Sequence, residues 1–347
     1  MSDHRRGIST TMPGAVPVSV VSEGDAVVVC SPEVMGAILP NGVAATLTGV
    51  NVTLPPEDFD PFHDLLDILD LDAAPGESGV FEGRSQPQPH GRVFGGQVVA
   101  QCLVAAGRTV AALEGAPRLL HSLHGYFLRP GDPDSSIRYE VEELRDGSSF
   151  SARRVHAVQH GRPILSMISS FQTHDEGLEH QAMMPAVPDP ETLHSDDDEL
   201  STLGNPVSEY MSRTRPIDIR HCQGHLYGRP RRVTASEQSV WFRAKGDMPD
   251  DPLLHSAVLA YASDYNLLEG ALRRHGIAWG DRRIRAASLD HSMWFHRPFR
   301  ADEWLLYTQA SPSAQGGRAL GMGHVFREDG VLVATVAQEG MLRLKQS

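Results

Sequence analysis

Cysteine is scarce in this chain of 347 residues: Cys30, Cys102 and Cys222 are its three, an odd number with no Cys-x-x-Cys pair. That excludes a disulfide framework and a cysteine-ligated zinc site, and it fits the reduced thiols of a cytoplasmic protein. Basic residues are also in deficit, 31 against 44 acidic ones, for a net charge of -13. Such a chain repels phosphate backbones and anionic bilayers, so nucleic acid is not an expected partner. No stretch reaches the 18 or so unbroken apolar residues of a membrane-spanning helix. The opening MSDHRRGISTTMPG lacks the apolar core of a secretory leader, and the closing Lys345-Gln346-Ser347 does not match the peroxisomal Ser-Lys-Leu address. The expected location is cytoplasmic. Missing too are the Gly-x-Ser-x-Gly elbow, His-Glu-x-x-His and the Walker phosphate loop, which sets aside an α/β-hydrolase serine, a zinc-protease centre and a P-loop.

What is present is an ordinary globular composition, 40% hydrophobic and 22% charged. The length suggests two domains or one doubled. Residues 1–60 are rich in Gly, Pro, Val and Ser without an amphipathic period, and read either as a disordered N-terminal extension or as an accessory strand pair. Apolar residues recur at helical spacing over 62–71. Residues 91–113 carry Gly95-Gly96 at the front and then turn apolar nearly all the way round, the pattern of a helix buried on most faces. Strand-like runs follow at 119–129, 136–145, 149–159 and 163–173, separated by turn dipeptides such as Asp146-Gly147 and His160-Gly161. A buried helix wrapped by its own antiparallel sheet is the hotdog roll. Proline and acid crowd residues 176–213, including Asp196 to Glu199, which reads as a solvated linker.

The order then repeats: a strand at 237–245, a mostly helical run at 252–274, and strand-like runs at 286–297, 303–310, 317–326 and 331–343. A lag of 168 residues superimposes Phe127 on Phe295, Arg129 on Arg297, Pro130 on Pro298 and Tyr139 on Tyr307. One lag holding from the first of these strands to the last argues for two copies of one fold. The expected fold is α+β, a tandem hotdog with two antiparallel sheets each wrapped around a central helix. The first roll spans 61–175 and the second 214–347.

Differences between the copies show where chemistry survives. The same lag pairs Asp264 with Gly96, Ser288 with Leu120 and Gln338 with Ser170, so polar groups gather in the second copy. Asp264 lies in an otherwise apolar run, where a carboxylate is costly unless hydrogen-bonded. It reads as a general base with a tuned pKa, or else as the N-cap of a helix starting at Tyr265. Ser288 and Gln338 on strands can orient a water and a carboxylate, although each alone reads equally as an ordinary strand residue. His221 and His225 offer metal-ligand chemistry, but on a strand they stand more than about 10 Å apart, and among 17 histidines such a pair arises by chance. Phe94-Gly95-Gly96-Gln97 reads either as an anion cradle at a helix start or as glycines allowing tight packing.

Five blocks, 94–101 (FGGQVVAQ), 121–131 (HSLHGYFLRPG), 144–154 (LRDGSSFSARR), 261–264 (YASD) and 290–299 (DHSMWFHRPF), make the chain resemble acyl-CoA thioesterase II, the TesB-like double-hotdog enzymes, over about residues 62–345. The resemblance implies hydrolysis of acyl-CoA to free fatty acid and CoA without metal or organic cofactor. It also implies a homo-oligomer, and a water activated by an Asp, a Thr or Ser, and a Gln. Those positions fall on Asp264, Ser288 and Gln338. Serine at 288, where the family pattern often has threonine, keeps the hydroxyl but loses the methyl that restrains its rotamer. Two rivals stand beside this reading: an enoyl-thioester hydratase, whose helix carries a His five residues after its Asp where this chain has Glu269, and a non-catalytic acyl-CoA binding protein. Arg129 and Arg297 are candidates for CoA phosphates by position alone.

Overall fold

The computed structural model describes residues 52–89, 91–228 and 235–345. The reading of residues 1–60 therefore falls, up to residue 51, outside the described residues. Pro61 at the first helical position and the Asp60 carboxylate, which accepts from the N–H groups of Phe62 and His63, start α1 (Pro61–Leu69). Its stripe of Phe62, Leu65, Ile68 and Leu69 is buried. There follow β1 (Asp72–Ala73), β2 (Val80–Gly83), α2 (Gly95–Ala111), β3 (Arg118–Phe127), β4 (Ile137–Asp146), β5 (Phe150–Gln159) and β6 (Arg162–Thr173). After a connecting stretch come α3 (Asp196–Ser201), α4 (Pro206–Thr214), β7 (Ile217–His221), β8 (Glu237–Ala244), α5 (Pro252–Ser263) and α6 (Glu269–Arg274). The chain closes with β9 (Ile284–Ser288), β10 (Asp290–Phe295), β11 (Leu305–Gln315), β12 (Arg318–Arg327) and β13 (Leu332–Leu344).

The repeat seen in sequence is a repeat of structure. β5 and β12 begin and end 168 residues apart, and β4 and β11 begin 168 apart. Even an irregularity recurs: β3 slips register at His121, and at Leu289, its counterpart, the expected 286–297 strand divides into β9 and β10. Instead of two sheets there is one of 13 strands, in the order β1-β2-β4-β5-β6-β3-β10-β13-β12-β11-β8-β7, with β9 also on β13. The joint is the antiparallel pair β3/β10, where the edge strand of each half satisfies the open backbone groups of the other. In that pair His124 stands opposite Ser292, its counterpart 168 residues on, with Nδ1 and Oγ 3.1 Å apart. A local twofold axis relating the halves passes between them.

Helix α2 packs under β3 to β6, α6 packs under β8, β11 and β12, and α2 and α5 lie against each other. One continuous core results, joining Leu103, Tyr139 and Phe171 to Val258, Tyr307 and Val336. Two further expectations change. The helical run 252–274 breaks after Ser263, because Asp264, Tyr265 and Asn266 are consecutive residues of low helix propensity; turns fill 264–268. The acidic run of the expected linker forms α3, capped by Ser195, with its four acids in the first turn where the helix dipole favours them. Asp196 within it is buried, paired with Arg215 at 3.0 Å and accepting from the Tyr227 hydroxyl. Among the described residues, no helix is long and apolar enough to cross a membrane.

Candidate active site

Where α5 stops, Asp264 sits as its C-cap, in αR geometry, and not as the N-cap of a following helix. Its Oδ1 accepts from Gln338 Nε2 at 2.7 Å and from Ser288 Oγ at 3.2 Å, and Gln338 Nε2 also reaches Ser288 Oγ. The strands dictate this meeting. Ser288 ends β9 opposite Gly340, and Gln338 lies two residues before Gly340 on β13, so period-two alternation points both side chains inward. The structure thus brings together the three residues singled out in the sequence.

The first half supplies the remaining wall. The Gly96 backbone N–H at the start of α2 also binds the Asp264 carboxylate. A Cβ at Gly95 would stand 2.7 Å from Asp264 Oδ2, and one at Gly96 would stand 2.4 Å from the Tyr261 carbonyl oxygen. These glycines are therefore close-approach residues, and because the helix start they form also faces a carboxylate, the packing and anion readings of the sequence meet at one place. Phe94 precedes them as N-cap with no side-chain cap bond, which leaves first-turn N–H groups of α2 without a cap acceptor. The positive end of α2 thus faces a carboxylate that sits at the negative end of α5. Burial pushes the Asp264 pKa up to about 6, against the lowering effect of the bonds from Gln338, Ser288 and the Gly96 N–H. At neutral pH the group is an ionised base only modestly weaker than a histidine.

His291 was not singled out in the sequence, yet it is fully buried beside the site. It bonds Ser263 Oγ at 2.9 Å and lies against Gln338, and burial drives its pKa down to about 4, so it is neutral. Its one sequence signal was membership of the DHSMWF block. The aromatic stack of Phe94 on Tyr265, with Tyr261 edge-on, was likewise hidden, because its members are far apart in sequence. Other candidates do not join the site. Arg129 donates to the Pro163 carbonyl, and Arg297 to those of Leu332 and His180, so both tie strand ends. His221 lies between Asp196 and Glu269, whereas His225 pairs with Glu199 at 2.9 Å. These histidines serve different carboxylates, and no group of three metal-ligating side chains occurs among the described residues.

Comparison with known proteins adds an independent line. The family model described as acyl-CoA thioesterase matches residues 216–341, and that described as the acyl-CoA thioesterase N-terminal domain matches 84–172. Acyl-CoA thioesterase 2 of Haemophilus influenzae is 39% identical, over 83% of this chain and 99% of that protein. The crystal structure of the acyl-CoA thioesterase II TesB2 from Mycobacterium marinum is 44% identical, with a TM-score of 0.66 over 81% of this chain and 99% of that one. A protein from Alicyclobacillus acidocaldarius described as having a hot dog fold matches with TM-score 0.66 at 18% identity, over 82% of this chain and 99% of that one, a likeness of fold alone.

Proposed function

The chain belongs to the acyl-CoA thioesterase family, and from that premise we propose that it hydrolyses acyl-CoA to free fatty acid and CoA, using a water activated by Asp264, Ser288 and Gln338. The observation that carries this reading is the arrangement of the Asp264 carboxylate. One of its oxygens is held by both other residues, and the other faces the N-terminal end of α2. Fixed donors on Oδ1 leave Oδ2 to take a proton. The water oxygen attacks the thioester carbonyl carbon as its proton passes to Asp264, and the negative charge that develops on the carbonyl oxygen is met by uncapped N–H groups of α2. The C–S bond then breaks. A thiol ionises near pH 8.5, so the leaving sulfur needs little help from an acid, and it can recover the proton that Asp264 holds.

The same reading makes the molecule a tandem hotdog. The first roll (61–175) contributes the helix end and the second (214–347) the carboxylate, with 176–213 connecting them. β1 and β7 end the sheet, and pairing of such edges between copies is the basis for proposing a homo-oligomer, in a cytoplasmic location. A thiol-detecting assay across acyl-CoA substrates tests the function. Stoichiometric release of free CoA and fatty acid is expected. Loss of enoyl absorbance from crotonyl-CoA without thiol would point to a hydratase, and acyl-CoA surviving prolonged incubation would point to a binding protein.

A further inference from the structure

Four side chains stand in a ring around the end of α5, and three of its links are in place. Asp264 and Ser263 are chain neighbours, Gln338 Nε2 donates to Asp264, and His291 Nε2 meets Ser263 Oγ at 2.9 Å. The fourth link is the one between His291 and Gln338. β10 and β13 run antiparallel with Ser292 opposite Ala337, so one step further on His291 lies beside Gln338, both buried on the same face. Side chains so placed have Cβ atoms about 5 Å apart and interact across the strands. Each of the two keeps one buried polar atom that no other group satisfies: Nδ1 of His291 and Oε1 of Gln338.

The sense of the Gln338 amide depends on that link. An ionised Asp264 needs the amide N–H, and turning the amide over would set its carbonyl oxygen against the carboxylate. With Nε2 toward Asp264, Oε1 needs a donor. Burial holds the His291 ring neutral, with its pKa down to about 4, so it carries one hydrogen to give. Ser263 decides where that hydrogen sits, because its hydroxyl has two acceptors at 2.9 Å, His291 Nε2 and the Ala260 carbonyl. Spent on Ala260, it would leave the ring hydrogen on Nε2 and set a bare Nδ1 against Oε1, two lone pairs opposed in the core. Spent on Nε2, at the expense of the Ala260 carbonyl, it sends the ring hydrogen to Nδ1, and each side chain from Ser263 through His291 and Gln338 to Asp264 donates to the next.

We propose that His291, as its Nδ1–H tautomer, is a positioning residue: it holds the Gln338 carbonyl oxygen and so aims the amide N–H at Asp264 and Ser288. Its effect on turnover rests on the hydrolytic reading above, but its first test needs no activity. In long-range ¹H–¹⁵N spectra of the histidine-labelled protein at neutral pH, with the His291 signals identified by their loss in His291→Gln, the hydrogen should sit on Nδ1; a hydrogen on Nε2 overturns the proposal. Activity supplies the second arm. An asparagine amide offers its N–H where Nδ1 stands, whereas a glutamine amide reaches to where Nε2 stands. His291→Gln should therefore lower kcat by about tenfold or more with KM little changed, while His291→Asn keeps kcat within about threefold of native, and Tm should fall alike in both because both lose the ring. Equal losses of kcat would make His291 a packing residue and overturn the positioning role while hydrolysis stands. If the native protein releases no thiol from any acyl-CoA, the hydrolytic reading falls, and the tautomer still upholds or overturns the bond to Gln338.

Discussion

The two halves present equivalent positions to one another at the local axis, yet in the proposed reading only one of each pair takes part in catalysis. Gly96 and Asp264 are 168 residues apart and in contact; Leu120 answers Ser288, and Ser170 answers Gln338. The steric reason for the asymmetry is plain at the first pair. With Gly95 allowing no Cβ within 2.7 Å of Oδ2, and Gly96 none within 2.4 Å of the Tyr261 carbonyl, there is room for one side chain at the junction, not two. The first half is not idle on that account. By giving up its side chain it lets the end of its own helix reach the carboxylate of the other. The proposed catalytic site is accordingly one that both halves share, with a charge from one side and a helix dipole from the other.

The largest effect expected from breaking this asymmetry is on the acid. Asp264→Asn keeps an acceptor for Ser288 and Gln338 but cannot take a proton. kcat should fall by roughly 10²- to 10⁴-fold in a steady-state thiol assay, with little change in Tm. Next comes the mirror position: Gly96→Ala pushes a methyl against Tyr261, and kcat/KM should fall by roughly 10- to 100-fold, with a lower Tm. A smaller effect is set by pH. Because Asp264 titrates near 6, kcat/KM should fall as pH drops through that value. The stability linkage runs the other way: the folded pKa lies above the unfolded one, so the contribution is full below about pH 4 and is lost as pH rises through about 6. A pH-rate profile that stays flat down to pH 5 would separate activity from this carboxylate. The smallest effect belongs to the first half's counterpart of Gln338. Ser170 bonds His121 at 2.8 Å, away from Asp264, and Ser170→Ala should alter kcat/KM by less than about twofold. A large loss there would mean a second working site.

Much of this was legible in the sequence because period and lag are local properties. Turn dipeptides marked the strand ends of β4, β5 and β6 to within a residue or two, and the lag of 168 singled out Asp264, Ser288 and Gln338 before any contact was known. What stayed hidden depends on association between distant parts. Nothing in β3 or β10 alone says that their edges pair, so one sheet replaced the two expected. The break after Ser263 falls at three weak helix formers, but the partners that hold Asp264 there come from strands 24 and 74 residues further on, which no helical window contains. Asp196 read as a solvated acid because its partners, Arg215 and Tyr227, come from another helix end and a loop. Gly95 and Gly96 were visible as glycines, but not what they made room for.

The central claim is that water attacks the thioester directly, with Asp264 as base, and a single turnover with enzyme in excess in ¹⁸O-labelled water tests it most directly. The account predicts the label in the released fatty acid and none in the peptide bearing Asp264; label on that peptide would make the carboxylate a nucleophile and contradict it.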